Sequence, residues 1–106
     1  MEKISLDDLS RRIGKPWSPV DVVFANDSVI RMARVEGEFV WHKHDNGDEV
    51  FLVFDGEFTL QTEERNFHLK RGDCIVVPKG VSHCPKTESS ATVLLFELRE
   101  TKQYGD

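Results

Sequence analysis

An all-β domain is the fold class this sequence predicts, and three observations predict it. From Val20 onward, short apolar runs are separated by turn residues at regular spacing, the punctuation of a β-sandwich or barrel. Two of those runs, Val50–Phe54 and Ala91–Phe96, are apolar at nearly every position, as strands covered on both faces are. Only one stretch carries a helical period: Leu6, Leu9 and Ile13 fall at i, i+3 and i+7 and give one apolar stripe.

That stripe predicts a short helix over residues 5–13. Ser5 is a good N-cap, and Asp8 three residues on can return a hydrogen bond to its backbone N–H, as in a capping box. Gly14 and Pro16 stop the helix. Lys15 to Pro19 reads as an extended crossing with Trp17 as an anchor. Strands are expected near Val20–Ala25, Val29–Glu36, Phe39–His42, Glu49–Phe54, Glu57–Thr62, Asn66–Leu69, Cys74–Val77, Ser82–Pro85 and Ala91–Leu98. Turns are expected between them, at Asp45 to Asp48 and Thr87 to Ser90 among others. Asp55-Gly56 is the strongest hairpin signal, because a type I′ turn needs positive φ and glycine supplies it cheaply. The chain then divides into a helix and arm (1–19), a barrel (20–99) and a solvated tail (100–106).

With 106 residues the chain is one domain that buries roughly two-thirds of its unfolded surface. Nineteen acidic residues against 14 basic ones, net charge −5 and no basic block argue against a nucleic-acid partner. No run approaches the ~20 apolar residues of a membrane span. No apolar signal segment is visible near Met1, and two cysteines make no disulfide framework. A cytoplasmic location is the expectation. One face of each doubly apolar strand can line a lumen; the other needs the N-terminal segment or a second subunit, so a homodimer is expected.

The chemistry concentrates in two stretches. In the first, GEFVWHKHDNGDEVFLVFDG (residues 37–56), His42 and His44 stand at i and i+2. On a strand such residues share a face, roughly 7 Å apart along the chain. Glu49 follows a polar turn and can reach the same point from a neighbouring strand. Asp48 competes for that role, but Glu49 opens the apolar strand and alternates with Phe51 and Val53 toward the interior. The second stretch, GDCIVVPKGVSH (residues 72–83), ends a Pro-x-Gly turn on a third histidine, His83. Imidazoles and a carboxylate suit a borderline or hard divalent cation: Fe, Mn, Ni or Zn.

These stretches resemble the two motifs of the cupins, G-x5-H-x-H-x3–4-E-x6-G and G-x5-P-x-G-x2-H-x3-N. Gly37, His42, His44, Glu49 and Gly56 match the first, and Gly72, Pro78, Gly80 and His83 the second. One residue fewer separates Gly37 from His42, and Thr87 replaces the final Asn; no ligand position is touched. The resemblance implies a double-stranded β-helix, or jelly-roll barrel, behind a short N-terminal helix. It implies one divalent metal ion held by His42, His44, Glu49 and His83, with open positions of the kind catalytic sites keep. It further implies an enzyme acting on a small polar substrate, dioxygenase-like or similar to the mannose-6-phosphate-isomerase-like group. The alternative is a non-catalytic cupin that binds or senses a small ligand. No catalytic residue beyond the metal set is assigned.

The remaining candidates are weaker. His68, between Phe67 and Leu69, is expected on the opposite face from the core. Cys74 and Cys84 read as small buried hydrophobes. Either Arg31 or Arg34 could enter the lumen and hold an anionic substrate. Phe51 and Phe96 are expected as core or pocket walls.

Overall fold

The computed structural model describes all 106 residues. Its helix α1 spans Leu6–Arg12, one residue inside the expected bounds at each end. The Ser5 hydroxyl accepts from the Asp8 N–H at 3.2 Å. The Asp8 carboxylate does not complete the box; it pairs with Arg11 one turn on. The stripe of Leu6, Leu9 and Ile13 is half-buried rather than buried, so α1 contributes nothing to the core.

Six strands make one curved antiparallel sheet: β1 (Val20–Ala25), β2 (Ser28–Glu38), β3 (Glu49–Thr62), β4 (Asn66–Lys70), β5 (Cys74–Val77) and β6 (His83–Leu98). Their order is β1-β2-β6-β3-β4, with β5 pairing on β3. The jelly-roll character lies in β3 and β6. Both are long: β3 pairs with β4, β5 and β6, and β6 with β2 and β3, on the way around the barrel.

Here the structure corrects two expected turns. Asp55-Gly56 is not a hairpin; β3 runs through it, and the register against β6 shifts between Val53 and Asp55 and again between Gly56 and Thr59. Thr87 to Ser90 is likewise an irregularity inside β6, where the register against β2 jumps at Glu36–Gly37. A glycine bulge and a type I′ hairpin draw on the same residue, since both use glycine at positive φ, as Gly56 has. What decides between them is the neighbouring strand, which local sequence does not contain. The expected strand Phe39–His42 is also absent as a ladder. Only His42 pairs, through an isolated bridge to His83.

Gly56 shows how tight the bend is. Its φ is +79°, and a Cβ there would lie 2.5 Å from the Ser90 carbonyl oxygen and 3.0 Å from the Ala91 Cα. Gly72 has φ +89° but open space around it. Gly72→Ala should therefore cost only backbone strain, about 1–3 kcal/mol. Gly56→Ala should cost clearly more, because β6 must also move. Urea unfolding midpoints of the two variants measure the difference.

Alternation along the strands divides interior from exterior. Glu49, Phe51 and Val53 are buried, whereas Val50, Leu52 and Phe54 are half-buried on the outside. The main core cluster includes Ala33, Val35, Phe51, Phe58, Leu60 and Val93. Phe96, expected as a wall, is 38% exposed on the outer face. Cys84 is buried as expected, but Cys74 is exposed.

The arm and the tail close the barrel mouth. Pro16 bridges to Arg34, the Trp17 indole N–H donates to the Glu36 carbonyl at 2.8 Å, and its ring stacks on Phe39 at 4.6 Å. The segment expected to be a solvated tail packs back on the barrel. Thr101 is buried, the Gln103 amide donates to the Trp17 carbonyl, and the Tyr104 ring lies 5.1 Å from Phe39. The Asp106 N–H donates to the Lys43 carbonyl at 3.0 Å, and its carboxylate accepts from the Asp45 N–H at 2.7 Å.

Candidate metal centre

His42, His44, Glu49 and His83 converge. One potential ligand atom from each lies within 4.8 Å of all the others. The backbone explains how. His42 and His83 exchange two N–H···O bonds, at 3.0 and 2.9 Å, which sets their rings 4.3 Å apart between centroids. Gly80, with φ +82°, turns the chain after Pro78 and donates to the His44 carbonyl at 2.7 Å. That bond pins the second motif to the first. Glu49 opens β3, and its Oε1 sits 3.4 Å from His44 Nε2 and 3.3 Å from His83 Nε2.

The ring nitrogens fit a cation. Nδ1 of His42 and Nδ1 of His83 each lie 2.9 Å from a backbone carbonyl, of Val40 and Val81 respectively. Donating there fixes the tautomer and leaves Nε2 as a free electron pair, the usual outer-shell device of metal-binding histidines. His44 is 4% exposed, and neither of its nitrogens has a hydrogen-bond partner. Unpaired buried polar atoms are costly, and a cation at Nε2 removes one of the two.

Electrostatics point the same way. Burial would raise the Glu49 carboxyl, yet the adjoining His44, His83 and Glu97 side chains outweigh it and hold the group well below the usual carboxylate range. Burial, reinforced by His83 and His44, lowers the His42 imidazole against the pull of the Val40 carbonyl. A carboxylate held ionised beside imidazoles is a ready ligand set.

The other sequence candidates fall outside the cluster. Asp48 accepts the Lys79 N–H at 2.9 Å and ties two turns together. His68 is exposed and pairs with Glu57 at 3.2 Å. Arg34 pairs with Glu36 on the surface. Arg31 does line the interior, but four of its five N–H donors are engaged: with Asp21 at 2.8 Å, with Glu97, and with the carbonyls of Thr101 at 3.0 Å and Arg99 at 2.7 Å. It is a clamp between β1, β2, β6 and the tail.

A cavity of about 160 Å³ opens beside the cluster. His42, Glu49, Arg31 and Glu97 supply its polar side, and Trp17, Phe39, Phe51, Val35, Val93 and Leu95 its apolar side. Thr101 and Gln103 from the tail complete the wall. Reading the sequence missed Glu97, although a signal was present: it shares alternation with Val93 and Leu95, a lone carboxylate on an inward face. Its side chain is 3% exposed. Burial raises its carboxyl well above the usual range, and Glu49 raises it further against the opposing effect of Arg31.

Comparison with known proteins follows this geometry closely. The cupin domain matches residues 28–98, from the start of β2 to the end of β6. The YdbB protein of Bacillus subtilis (strain 168) is 37% identical over 78 residues, covering 73% of this chain and 69% of its own length. A cupin-2 domain containing protein from Shewanella frigidimarina NCIMB 400 superposes with a TM-score of 0.88 at 35% identity, covering 91% of this chain and 94% of that one. The 3-hydroxyanthranilate 3,4-dioxygenase of Bos taurus is 31% identical over 62 residues, which is 55% of this chain and 22% of the bovine protein. A domain match across nearly the whole barrel, joined to relatives of this extent, leaves one assignment: the chain belongs to the cupin family.

Proposed function

We propose that this cupin holds one divalent cation through His42, His44, Glu49 and His83 and uses dioxygen to oxidise a small, oxygen-bearing molecule seated in the adjoining cavity. One observation carries the reading: four ligand atoms within 4.8 Å of one another at the edge of a cavity lined by both polar and aromatic side chains. A redox-active ion such as Fe(II), held by these four side chains, would supply Lewis-acid and one-electron chemistry. The protein supplies the rest. The His/Glu cluster lies where a hydroxyl or carboxylate of the substrate would be drawn, and Trp17, Phe39 and Phe51 offer faces to a flat or unsaturated body.

Similarity to the bovine dioxygenase supports the oxidative branch. A sugar-phosphate isomerase would need a free cation as phosphate anchor, and the cavity's one basic chain other than histidine, Arg31, has its guanidinium committed within the fold. Oxygen uptake by Fe(II)-restored protein, across a panel of aromatic and aliphatic diols, enediols, hydroxyacids and thiols, tests the proposal. Uptake with at least one class, lost on metal removal, is expected. Flat traces across the panel with full metal loading contradict it and favour ligand binding or a non-oxidative reaction.

We also propose that the chain works as a homodimer, because Val23, Phe24, Val76 and Phe96 remain 38–53% exposed on the outer faces of the sheet. No helix is long and apolar enough to cross a membrane. Light scattering at micromolar concentration should give about twice the 12.2 kDa chain mass; the single-chain mass contradicts the dimer.

A further inference from the structure

We propose that residues 101–106 form a strap that closes the cavity beside the metal centre and limits the size of the molecule it admits, with Gln103 as the latch. The inference rests on the metal and substrate reading above and names the part of the chain that selects by size. It begins from a backbone outlier. Trp17 has φ +58°, a left-handed conformation that a bulky residue rarely adopts. Such outliers persist where the surroundings over-determine them, and they gather at ligand clamps. Trp17 is held in that way. Its backbone N–H donates to the Arg34 carbonyl at 2.9 Å, its indole N–H donates to the Glu36 carbonyl at 2.8 Å, and its carbonyl accepts from the Gln103 amide.

Three segments far apart in sequence meet beside one metal ligand. The Phe39 ring stacks on Trp17 at 4.6 Å, lies 5.1 Å from Tyr104 and meets the His42 ring edge-on at 5.3 Å. Thr101 and Gln103 line the cavity from beyond the last strand. Gly105 lies so close to the ligand segment that a Cβ there would stand 2.5 Å from the Lys43 carbonyl oxygen and 3.0 Å from the His42 Cβ. Yet the hold on this strap is uneven. Thr101 is buried, and its carbonyl is gripped by Arg31 at 3.0 Å. None of residues 102–106 is buried, and Tyr104 is 62% exposed. A segment with few buried apolar contacts opens locally at low cost. Thr101 is therefore the fixed end, and residues 102–106 swing out from it to admit a ligand and return to enclose it. With the strap in place the cavity holds about 160 Å³, close to the roughly 150 Å³ of an engineered protein cavity that takes up one benzene. One ring, or a chain of similar bulk, fits beside the metal; two fused rings do not.

Trp41→Phe leaves Trp17 as the sole tryptophan and serves as the parent protein. In that background Gln103→Ala removes the latch, and Gly105→Val lifts the strap by collision with the Lys43 carbonyl. Acrylamide quenching of Trp17 fluorescence reads the opening in the metal-free proteins. The Co²⁺-loaded proteins are then titrated with imidazole, a single ring, and with benzimidazole, a fused pair, while the visible absorption of the ion is followed. Both variants should quench more steeply than the parent. Imidazole should bind all three proteins within about 3-fold, and benzimidazole should bind the variants at least roughly 10-fold more tightly than the parent, the scale on which a pocket wall discriminates against added bulk. Should Gly105→Val fail to fold, Gln103→Ala decides alone. Parent-level quenching in the variants, or one benzimidazole-to-imidazole affinity ratio in all three proteins, overturns the strap while leaving the metal site standing. A parent that takes up no Co²⁺ overturns the metal site and this inference together.

Discussion

Replacing His44 with alanine should lower divalent-cation affinity by more than 100-fold. Outer-shell partners cost about 10–100-fold, and His44 is placed to bind the ion directly, with Nε2 3.4 Å from Glu49 Oε1. The structure gives the imidazole no competing task, since both nitrogens are buried and lack hydrogen-bond partners. The loss should therefore appear in metal binding rather than in the metal-free fold. Mass action supplies a second readout. A ligand at about 1,000 times its Kd stabilises the native state by roughly 4 kcal/mol, so saturating Mn²⁺ or Zn²⁺ should raise the wild-type Tm and leave His44→Ala unmoved. His68→Ala serves as the control, because that ring is exposed on β4 beside Glu57 and should change nothing. An unchanged metal titration in His44→Ala would remove His44 from the centre.

The largest effect on stability is expected at Arg31. Its side chain is 15% exposed and meets a Glu97 side chain that is 3% exposed. Removing one partner of a buried pair typically costs about 3–5 kcal/mol, because the other is left without compensation. Here the guanidinium also satisfies the carbonyls of Arg99 and Thr101 and the Asp21 carboxylate. Asp21 is half exposed and can turn to water, which places Arg31→Leu near the lower end, about 3 kcal/mol. For a domain of this size that is a drop of roughly 12–24 °C in Tm. Arg34→Leu is the matched comparison. It breaks a surface pair with Glu36, both chains being more than 30% exposed, and should cost less than about 1 kcal/mol. Equal losses in the two variants would mean that Arg31 is not a clamp.

The convergence of His42, His44, Glu49 and His83 was legible in the sequence because its signal is local: two motifs hold all four residues, and each contains the turn that aims them. Val20–Ala25 and Cys74–Val77 were legible for the same reason, being short runs bounded by their own breakers. What escaped depends on partners far along the chain. Asp55-Gly56 carries hairpin chemistry, yet β6 lies alongside and makes it a bulge within β3. Residues 100–106 are polar and read as solvated, but their anchors are Arg31, Trp17, Lys43 and Asp45, more than 60 residues earlier. Glu97 stands between the two cases. Alternation with Val93 and Leu95 predicts an inward carboxylate, but only the pairing of β6 with β3 brings it to the cavity that Glu49 also lines. Alternation put Arg31 and Arg34 on opposite faces without saying which enters the lumen; the structure turns Arg31 inward, and its four partners make it a clamp rather than a substrate anchor.

The central claim is that three imidazoles and one carboxylate take up a single cation. Diffraction from crystals grown with Mn²⁺ or Zn²⁺, recorded on both sides of the metal's absorption edge, tests it most directly. One anomalous peak per chain is expected, roughly 2.0–2.2 Å from Nε2 of His42, His44 and His83 and from a Glu49 oxygen. Metal-loaded crystals with no peak among these four side chains, or with the peak elsewhere on the chain, would contradict it.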